Sequence, residues 1–351
     1  MITKSFLIAM STLLLTACPD SNKTNAQQKP TAPVTVKSAT AKAAPKDVST
    51  KPTDKDADII TSIIKDSEAY YKELCKDASV SKEERRSKLI LHIARKFLGT
   101  PYVAKTLETE GKERLVINAR QLDCTTYVEN TMAIYLCVTN SRTSYDDYKN
   151  QLRLLRYANG EVAYAARQHY FTQWIEENTK KGYVHELQSP TPPFTAEQLL
   201  QIDFMTTHVS LYPMLKDSPE DIKTIAQRER ELSGRKYRYI PKASIRNTSL
   251  FRSTIKDGDI IAITTSKKGL DTSHIGIAVW HKDGLHMLNA SQIHKKVVEE
   301  PMTLYQYMQR HPSQTGIRIV RMKLIDKKKT RKGWKLSENP IPSFSLFLAF
   351  L

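Results

Sequence analysis

Hydrophobic residues recur at helical spacing through the first half of the chain. Apolar positions three and four residues apart predict a helix that begins near Asp56. Ser81 followed by Glu84 has the pattern of a capping box and predicts a second helix, running to about Leu98 and ended by Gly99-Thr100-Pro101. Further helices are predicted over 124–139, 145–157, 168–181 and 218–233.

From about Tyr237 the hydrophobic period changes to that of strands. Strands are predicted over 259–264, 274–280, 285–290, 295–298 and 316–321, and an earlier isolated strand is predicted over 115–117. The turn Lys282-Asp283-Gly284 joins two of these strands as a hairpin. Helices followed by a run of antiparallel strands predict an α+β fold.

The N-terminal residues predict export and lipid attachment. An apolar run over 6–15 follows Lys4, and it is too short to cross a bilayer. It ends in Leu15-Thr16-Ala17-Cys18, which resembles the lipobox of bacterial lipoproteins, so we expect a signal peptide over 1–17 and lipidation of Cys18. The alternative is an ordinary signal peptide with an incidental cysteine. A lipidated protein would be held in the cell envelope, facing the periplasm, by its acyl chains.

Composition divides the remainder of the chain. Residues 18–55 contain no aromatic residue and are rich in Lys, Thr, Ala, Pro and Ser, which predicts a flexible tether. A globular domain is expected over 56–325. A basic and then apolar tail over 326–351 is too short in its apolar part to span a membrane.

The chain is basic, with 54 Lys and Arg against 37 Asp and Glu and a formal net charge of +17. Such a charge favours nucleic acid, an anionic membrane or an anionic polymer such as the cell wall, or serves only to keep the surface solvated. No zinc-knuckle, RNP or helix-turn-helix pattern is present, so nucleic acid is not expected as a partner.

The four cysteines suggest one free thiol. With Cys18 assigned to lipid, three remain, an odd number for an oxidising compartment. The predicted pairing is Cys75 with Cys137, which leaves Cys124 free. The alternative is that Cys75 and Cys137 are small buried apolar residues.

Three residues form a candidate catalytic group. Cys124 opens a predicted helix directly after Asp123, where free backbone N–H groups and the helix dipole favour a thiolate. His274 opens a predicted strand and is the usual base for a cysteine nucleophile. Asn289 lies on the next strand, on one face with Ser291, where its carbonyl can orient an imidazole.

The order of these residues resembles the NlpC-type papain-like cell-wall hydrolases, and more closely their N-acetylmuramoyl-L-alanine amidase-like branch. The matching segments are Leu98-Gly99-Thr100-Pro101-Tyr102-Val103-Ala104, Thr106-Leu107-Glu108, Leu122 to Glu129, Arg167-Gln168-His169-Tyr170-Phe171 with Trp174, Asp257 to Ile261, and Leu270 to Gly276. The resemblance spans about 89–321 and implies a papain-like core with helices before an antiparallel sheet and added helical elaboration.

The resemblance also implies roles for individual residues. Cys124 would be the nucleophile, His274 the base and Asn289 the orienting residue, where many relatives have histidine. Cleft-lining, substrate-binding positions would be those that match the family motifs: Tyr102, Glu108, Asp123, Arg167, Tyr170 and Ser291. Each of these is as readily a structural residue or a member of a buried pair. No cofactor is implied, and no His-Glu-x-x-His spacing indicates a metal.

The implied activity is hydrolysis of the bond between N-acetylmuramic acid and L-alanine in peptidoglycan fragments, including anhydromuropeptides. A γ-D-glutamyl endopeptidase that cuts within the stem peptide is the alternative enzyme. A non-catalytic lipoprotein that binds peptidoglycan fragments, and a protein that tethers the envelope through its charge, are the alternatives from other classes. The sequence does not define an oligomeric state.

Overall fold

The computed structural model describes residues 54–109 and 111–324, and it has the predicted order of helices followed by an antiparallel sheet. Its helices are α1 Asp54–Lys76, α2 Lys82–Arg95, α3 Cys124–Asn140, α4 Tyr145–Arg156, α5 Phe171–Lys180, α6 Phe204–Thr207, α7 Pro213–Lys216, α8 Pro219–Leu232, α9 Ser249–Thr254 and α10 Leu304–Gln309. Its strands are β1 Val184–Glu186, β2 Ala196–Leu199, β3 Lys236–Pro241, β4 Ile260–Thr265, β5 Thr272–Trp280, β6 Leu285–Ser291, β7 Lys296–Glu299 and β8 Gln314–Met322.

The strands pair in the order β2-β3-β8-β4-β5-β6-β7, and every pair is antiparallel. The short strand β1 pairs with β8 beside β3, at the end of β8 marked by Met322. Because β5 and β6 are consecutive and joined by a tight turn, they form the predicted hairpin at the centre of the site described below.

Both faces of the sheet are covered, which is why the residues of its central strands are buried on both sides. All six residues of β4 are buried. Alternate positions along it face opposite sides: Ile260 packs with the helices α1 to α4, whereas Ile261 packs with Phe251 of α9 and Met308 of α10. The helix α3 therefore lies directly against one face of the hairpin strands, in contact with Ile277 and Leu288.

A third apolar cluster is built by the chain between the early helices and β4. It joins Leu200, Leu215 and Ile225 to Tyr164 and Tyr170. This cluster packs α6, α7 and α8 against the segment that precedes α5. The part of the chain between α5 and β4 therefore has a core of its own.

Two sequence predictions are wrong. Residues 115–117 do not form a strand: Val116 and Ile117 are buried, but the carbonyl of Val116 accepts from Arg156 instead of a neighbouring strand. No disulfide joins Cys75, which is exposed, to Cys137, which is buried inside α3. The helix predicted over 168–181 is confirmed over Phe171–Lys180, so it begins three residues later than predicted.

The predicted signal peptide, Cys18, most of the predicted tether and the tail over 326–351 lie outside the described residues. The last two residues assigned to the tether, 54 and 55, instead begin α1. Among the described helices, none is long and apolar enough to cross a membrane.

Candidate active site

Cys124 is the first residue of α3, as the sequence predicts, and Asp123 caps the helix. The Thr126 backbone N–H donates to Asp123 Oδ1 at 2.8 Å, and the Asp123 N–H donates to Thr126 Oγ1 at 2.9 Å. This reciprocal capping box satisfies two of the N–H groups that a helix start leaves unpaired. It fixes the backbone on both sides of the cysteine.

The rest of α3 is deeply buried, so the position of Cys124 is set by the core. Glu129 and Arg156 form an ion pair of 2.7 Å inside it, with both side chains about 97% buried or more. The same guanidinium donates to the Val116 carbonyl at 2.6 Å. The pair therefore connects α3, α4 and the segment that leads to the cysteine.

His274 and Asn289 meet through a hydrogen bond. The Nε2 atom of His274 lies 3.0 Å from Oδ1 of Asn289. Because an amide oxygen only accepts, Nε2 carries the proton and Nδ1 keeps a lone pair. Asn289 is fully buried, and its amide nitrogen also contacts the Met287 carbonyl at 3.4 Å. The orientation of the imidazole is thus fixed from β6.

The backbone next to His274 contacts the thiol. The Ile275 N–H donates toward Cys124 and, together with donors from Thr125, opposes in part the larger rise in the thiol pKa that burial causes. The start of α3 and the start of β5 therefore meet at Cys124, which brings the three predicted catalytic residues into one region of the fold.

The thiol is not predisposed to ionise in this environment, contrary to the sequence expectation. Burial, followed by the negative charge of Asp123, raises the pKa of Cys124 to about 11. Burial also lowers the pKa of His274 below its usual 6.5. Desolvation outweighs the helix start because it penalises the charged form of both groups. At neutral pH the Cys124 thiol and the His274 imidazole are therefore both neutral.

Tyr102 lies near Cys124 and is held in place by hydrogen bonds of its backbone. Its N–H donates to the Lys295 carbonyl at 2.9 Å, and its neighbours bond with Leu122, just before the cysteine. Burial and the nearby Cys124 and Asp123 raise the pKa of the Tyr102 phenol to about 12. The hydroxyl therefore stays protonated at neutral pH and is available as a donor.

Glu108 and Arg167, which the family motifs place in the cleft, form a buried ion pair with each other. Arg167 also donates to the Leu107 carbonyl at 2.7 Å and lies 3.4 Å from Glu113. The Arg167 guanidinium also stacks on the Tyr164 ring, with its Cζ atom 4.7 Å from the ring centre. With these partners, the guanidinium is engaged by the protein and shapes the segment before the cysteine.

Tyr170 and Ser291 also have partners within the protein. The Tyr170 hydroxyl donates to Glu229 of α8 at 2.6 Å, and this bond connects α8 to the start of α5. Ser291, at the end of β6, is buried and accepts the N–H of His294 at 3.1 Å. In the described structure both residues support elements around the site.

Sequence reasoning missed Tyr307, a buried residue of α10 whose raised pKa reflects burial first and the nearby Cys124 as a smaller cause. The helix that carries it had a local signal: Thr303 and Gln306 form a capping box at its start. No local signal places this helix near Cys124, because its position depends on packing with Ile261 and its neighbours on one face of the sheet.

The chain was compared with known proteins. A family model described as AmiA-like, N-acetylmuramoyl-L-alanine amidase-like, matches residues 92–317. An N-acetylmuramoyl-L-alanine amidase from Bacteroides uniformis is 37% identical, with a TM-score of 0.63 over 68% of this chain and 99% of that chain. A Bacteroides fragilis structure whose name proposes a xylanase is 39% identical, with a TM-score of 0.60 over 65% and 98% of the two chains.

A Legionella pneumophila structure is 22% identical, with a TM-score of 0.53 over 76% of this chain and 96% of that chain, and it supports the fold alone. No curated protein matches the chain. The fold and the family match define an amidase-like hydrolase of mixed α+β structure. The chain belongs to the N-acetylmuramoyl-L-alanine amidase-like family.

Proposed function

We propose that this protein is a cysteine-dependent amidase that cleaves the bond between N-acetylmuramic acid and L-alanine in peptidoglycan fragments, including anhydromuropeptides. The observation that carries the cysteine mechanism is the hydrogen bond between His274 and Asn289, next to the backbone N–H that contacts Cys124. The choice of bond is supported by the family and by the Bacteroides uniformis amidase.

In the first step His274 acts as a general base. Its Nδ1 lone pair takes the thiol proton as the Cys124 sulfur attacks the lactyl carbonyl, which forms a tetrahedral oxyanion. Because the resting pair is neutral, the charges form only during the attack, where backbone N–H groups at the start of α3 stabilise the oxyanion. The protonated Tyr102 hydroxyl is a second donor beside the sulfur.

In the second step the oxyanion collapses, the C–N bond breaks and the imidazolium gives its proton to the departing amine of L-alanine. This leaves a thioester between Cys124 and the lactyl group. His274 then takes a proton from water as the water attacks the thioester. The resulting intermediate collapses, the C–S bond breaks and the imidazolium returns its proton to the sulfur, which releases the carboxylic acid and regenerates the free thiol.

The finer classification and the location are part of the proposal. The chain has a cysteine at a helix start, a histidine at a strand start and an amide on the next strand, which supports an NlpC-type, papain-like catalytic core. The Leu15-to-Cys18 sequence supports a lipoprotein whose anchor holds the domain in the periplasm, and +17 charges favour contact with anionic wall or lipid.

The proposal is tested by mass spectrometry of defined muropeptides and anhydromuropeptides after incubation with the purified protein. We expect release of the intact stem peptide with a free L-alanine N-terminus, lost in Cys124→Ala. The matched control is Cys75→Ala, which removes an exposed thiol on α1 and should leave the products unchanged.

Each other outcome contradicts the proposal in a different way. Cleavage within the stem, with new diamino-acid N-termini, would make the protein a γ-D-glutamyl endopeptidase. Binding of fragments without cleavage would make it a peptidoglycan-binding lipoprotein. Salt-sensitive retention on anionic wall with neither activity would support an envelope-tethering role.

A further inference from the structure

The turn between β5 and β6 brings His281, Asp283 and His286 together. One ring nitrogen from each histidine and one carboxylate oxygen all lie within 4.8 Å of one another. The two imidazole rings are 4.3 Å apart, with an angle of 31° between their planes. These three side chains are at the tip of the hairpin whose strands carry His274 and Asn289.

The buried member of this group, His286, directs its second ring nitrogen at a carboxylate. Its side chain is 3% exposed, and its Nδ1 lies 2.8 Å from the carbonyl oxygen of Glu300. Because a carbonyl oxygen only accepts, Nδ1 carries a proton, and Nε2 is the nitrogen that faces the carboxylate. That Nε2 lies 3.0 Å from Asp283 Oδ1. At this separation the nitrogen and the oxygen share either a proton, as in an ordinary histidine–aspartate pair, or a metal ion.

The second histidine also has an oxygen partner on one of its nitrogens. Nε2 of His281 lies 2.6 Å from Glu299 Oε1, and Arg95 holds the same carboxylate at 3.0 Å. A carboxylate or carbonyl on the far nitrogen of each imidazole is the usual outer support of metal-binding histidines, because it fixes the tautomer and the ring orientation.

We propose that His281, Asp283 and His286 form a binding site for one zinc ion. Two imidazole nitrogens and a carboxylate oxygen are the donor set that zinc accepts, with water as the fourth ligand. A calcium or magnesium ion would require more oxygen ligands than these three side chains supply.

The site needs only a small local adjustment to bind the ion. Ligand atoms about 2.1 Å from a tetrahedral zinc are separated by about 3.4 Å. The widest pair in the group, within 4.8 Å, must therefore shorten by at most about 1.4 Å, and the His286–Asp283 pair at 3.0 Å must widen slightly. The side chains of His281 and Asp283 are 41% and 64% exposed and can move, whereas His286 is fixed. The turn backbone is already held, since Arg252 donates to the His281 carbonyl at 2.6 Å and Asn247 to that of Lys282 at 3.0 Å.

The ion would stabilise the hairpin without entering the reaction. His286 and Asn289 are three residues apart on β6, which corresponds to about 10 Å along a strand. The ion would join the end of β5 to the start of β6 and so restrain the two strands that hold His274 and Asn289. It is separate from any catalytic metal and does not depend on the proposed function.

The test is isothermal titration of the purified, untagged protein with zinc chloride. Thiols also bind zinc, so the parent protein carries Cys75→Ser and Cys124→Ala. We expect one zinc ion per chain with micromolar affinity. Asp283→Asn and His281→Asn, both at exposed positions, should each weaken binding at least tenfold. The matched control is His208→Asn, an exposed histidine of the described residues outside the group.

Two further readouts keep the test decisive. Cobalt bound in place of zinc should give the visible absorption of a tetrahedral ion, lost in Asp283→Asn. Zinc at about 100 times its dissociation constant should raise the Tm by roughly 5–10 °C in the parent and by little in Asp283→Asn. Binding only at millimolar zinc, or binding that His281→Asn and Asp283→Asn leave unchanged, would overturn the proposal and make the contact an ordinary histidine–aspartate pair.

Discussion

Two substitutions of Asp123 separate the cap of the nucleophile helix from the charge beside the thiol. Asp123→Asn keeps a side-chain oxygen that can accept the Thr126 N–H, now at 2.8 Å, but removes the negative charge. Asp123→Ala removes both. Because the charge of Asp123 raises the pKa of Cys124, both variants should ionise the thiol more readily.

The two variants should differ in stability. Loss of an N-cap side chain costs about 1 kcal/mol, with a range of roughly 0.5–2, whereas asparagine caps as well as aspartate. The lost attraction between a carboxylate and the helix dipole adds roughly 0.3–1 kcal/mol to both variants. We therefore expect Asp123→Ala to unfold about 3 °C below Asp123→Asn, given roughly 2–4 °C for each kcal/mol in a domain of this size.

The effect of the Asp123 charge on the pKa of Cys124 is measured by the rate of alkylation with iodoacetamide as a function of pH, in a Cys75→Ser background. The unsubstituted site should show a midpoint near the Cys124 pKa of about 11. Both Asp123 variants should shift the midpoint downward, and each pKa unit of that shift raises the rate at pH 7 about tenfold.

Three results would refute this reasoning. A midpoint below pH 7 without any Asp123 substitution would mean that the resting pair is a thiolate and an imidazolium. Equal midpoints in all three proteins would mean that the charge of Asp123 does not reach the sulfur. A large rise in KM for Asp123→Asn with unchanged alkylation would show that the carboxylate binds substrate.

Three other predictions concern the core and the imidazole. Glu129→Gln should cost about 3–5 kcal/mol in urea unfolding because it leaves Arg156 buried without its partner, and the double variant Glu129→Leu, Arg156→Met should recover most of that loss; an effect below 1 kcal/mol contradicts this. Asn289→Ala should lower kcat about 100-fold because the imidazole of His274 is no longer oriented, whereas Asn289→His should retain more activity. A kcat for Asn289→Ala equal to that of the unsubstituted protein would show that Asn289 does not orient His274. Since burial lowers the pKa of His274 and the neutral form is the base, kcat/KM should fall only as pH drops below 6.5, and an acid limb centred above 6.5 would contradict the assignment.

The elements that carry the candidate site were predictable from local sequence. Asp123 and Thr126 supply a helix cap within four residues, so the start of α3 is encoded where the cysteine lies. The apolar runs of β5 and β6 on either side of the Lys282-Asp283-Gly284 turn encode the hairpin. Because both signals are short-range, tertiary packing did not override them.

What could not be predicted depends on contacts between distant parts of the chain. Arg167 pairs with Glu108, 59 residues away in the sequence, and no local sequence pattern around either residue predicts this pairing. Strand β1 has only three residues and exists because β8 is there to pair with it. The number of cysteines likewise gave no information on the distances between them. Cys137 is buried within α3 and forms no disulfide with the other cysteines of the described residues.

The resting ionisation of the site was also outside the reach of the sequence. A helix start favours a thiolate, but the amount of burial decides whether that preference prevails. The residues that interact with Cys124, which are Ile275 of β5, Tyr307 of α10 and Tyr102, lie far apart along the chain.

The most direct test of the account is the mass of the covalent intermediate after rapid acid quench of the protein with an anhydromuropeptide. We predict a thioester on the tryptic peptide that contains Cys124, with the mass of the anhydromuramyl acyl group and no amino acid. An adduct extended by L-alanine and D-glutamate would place the cleaved bond within the stem. Turnover that persists in Cys124→Ala, with no adduct at any time, would contradict the cysteine mechanism itself.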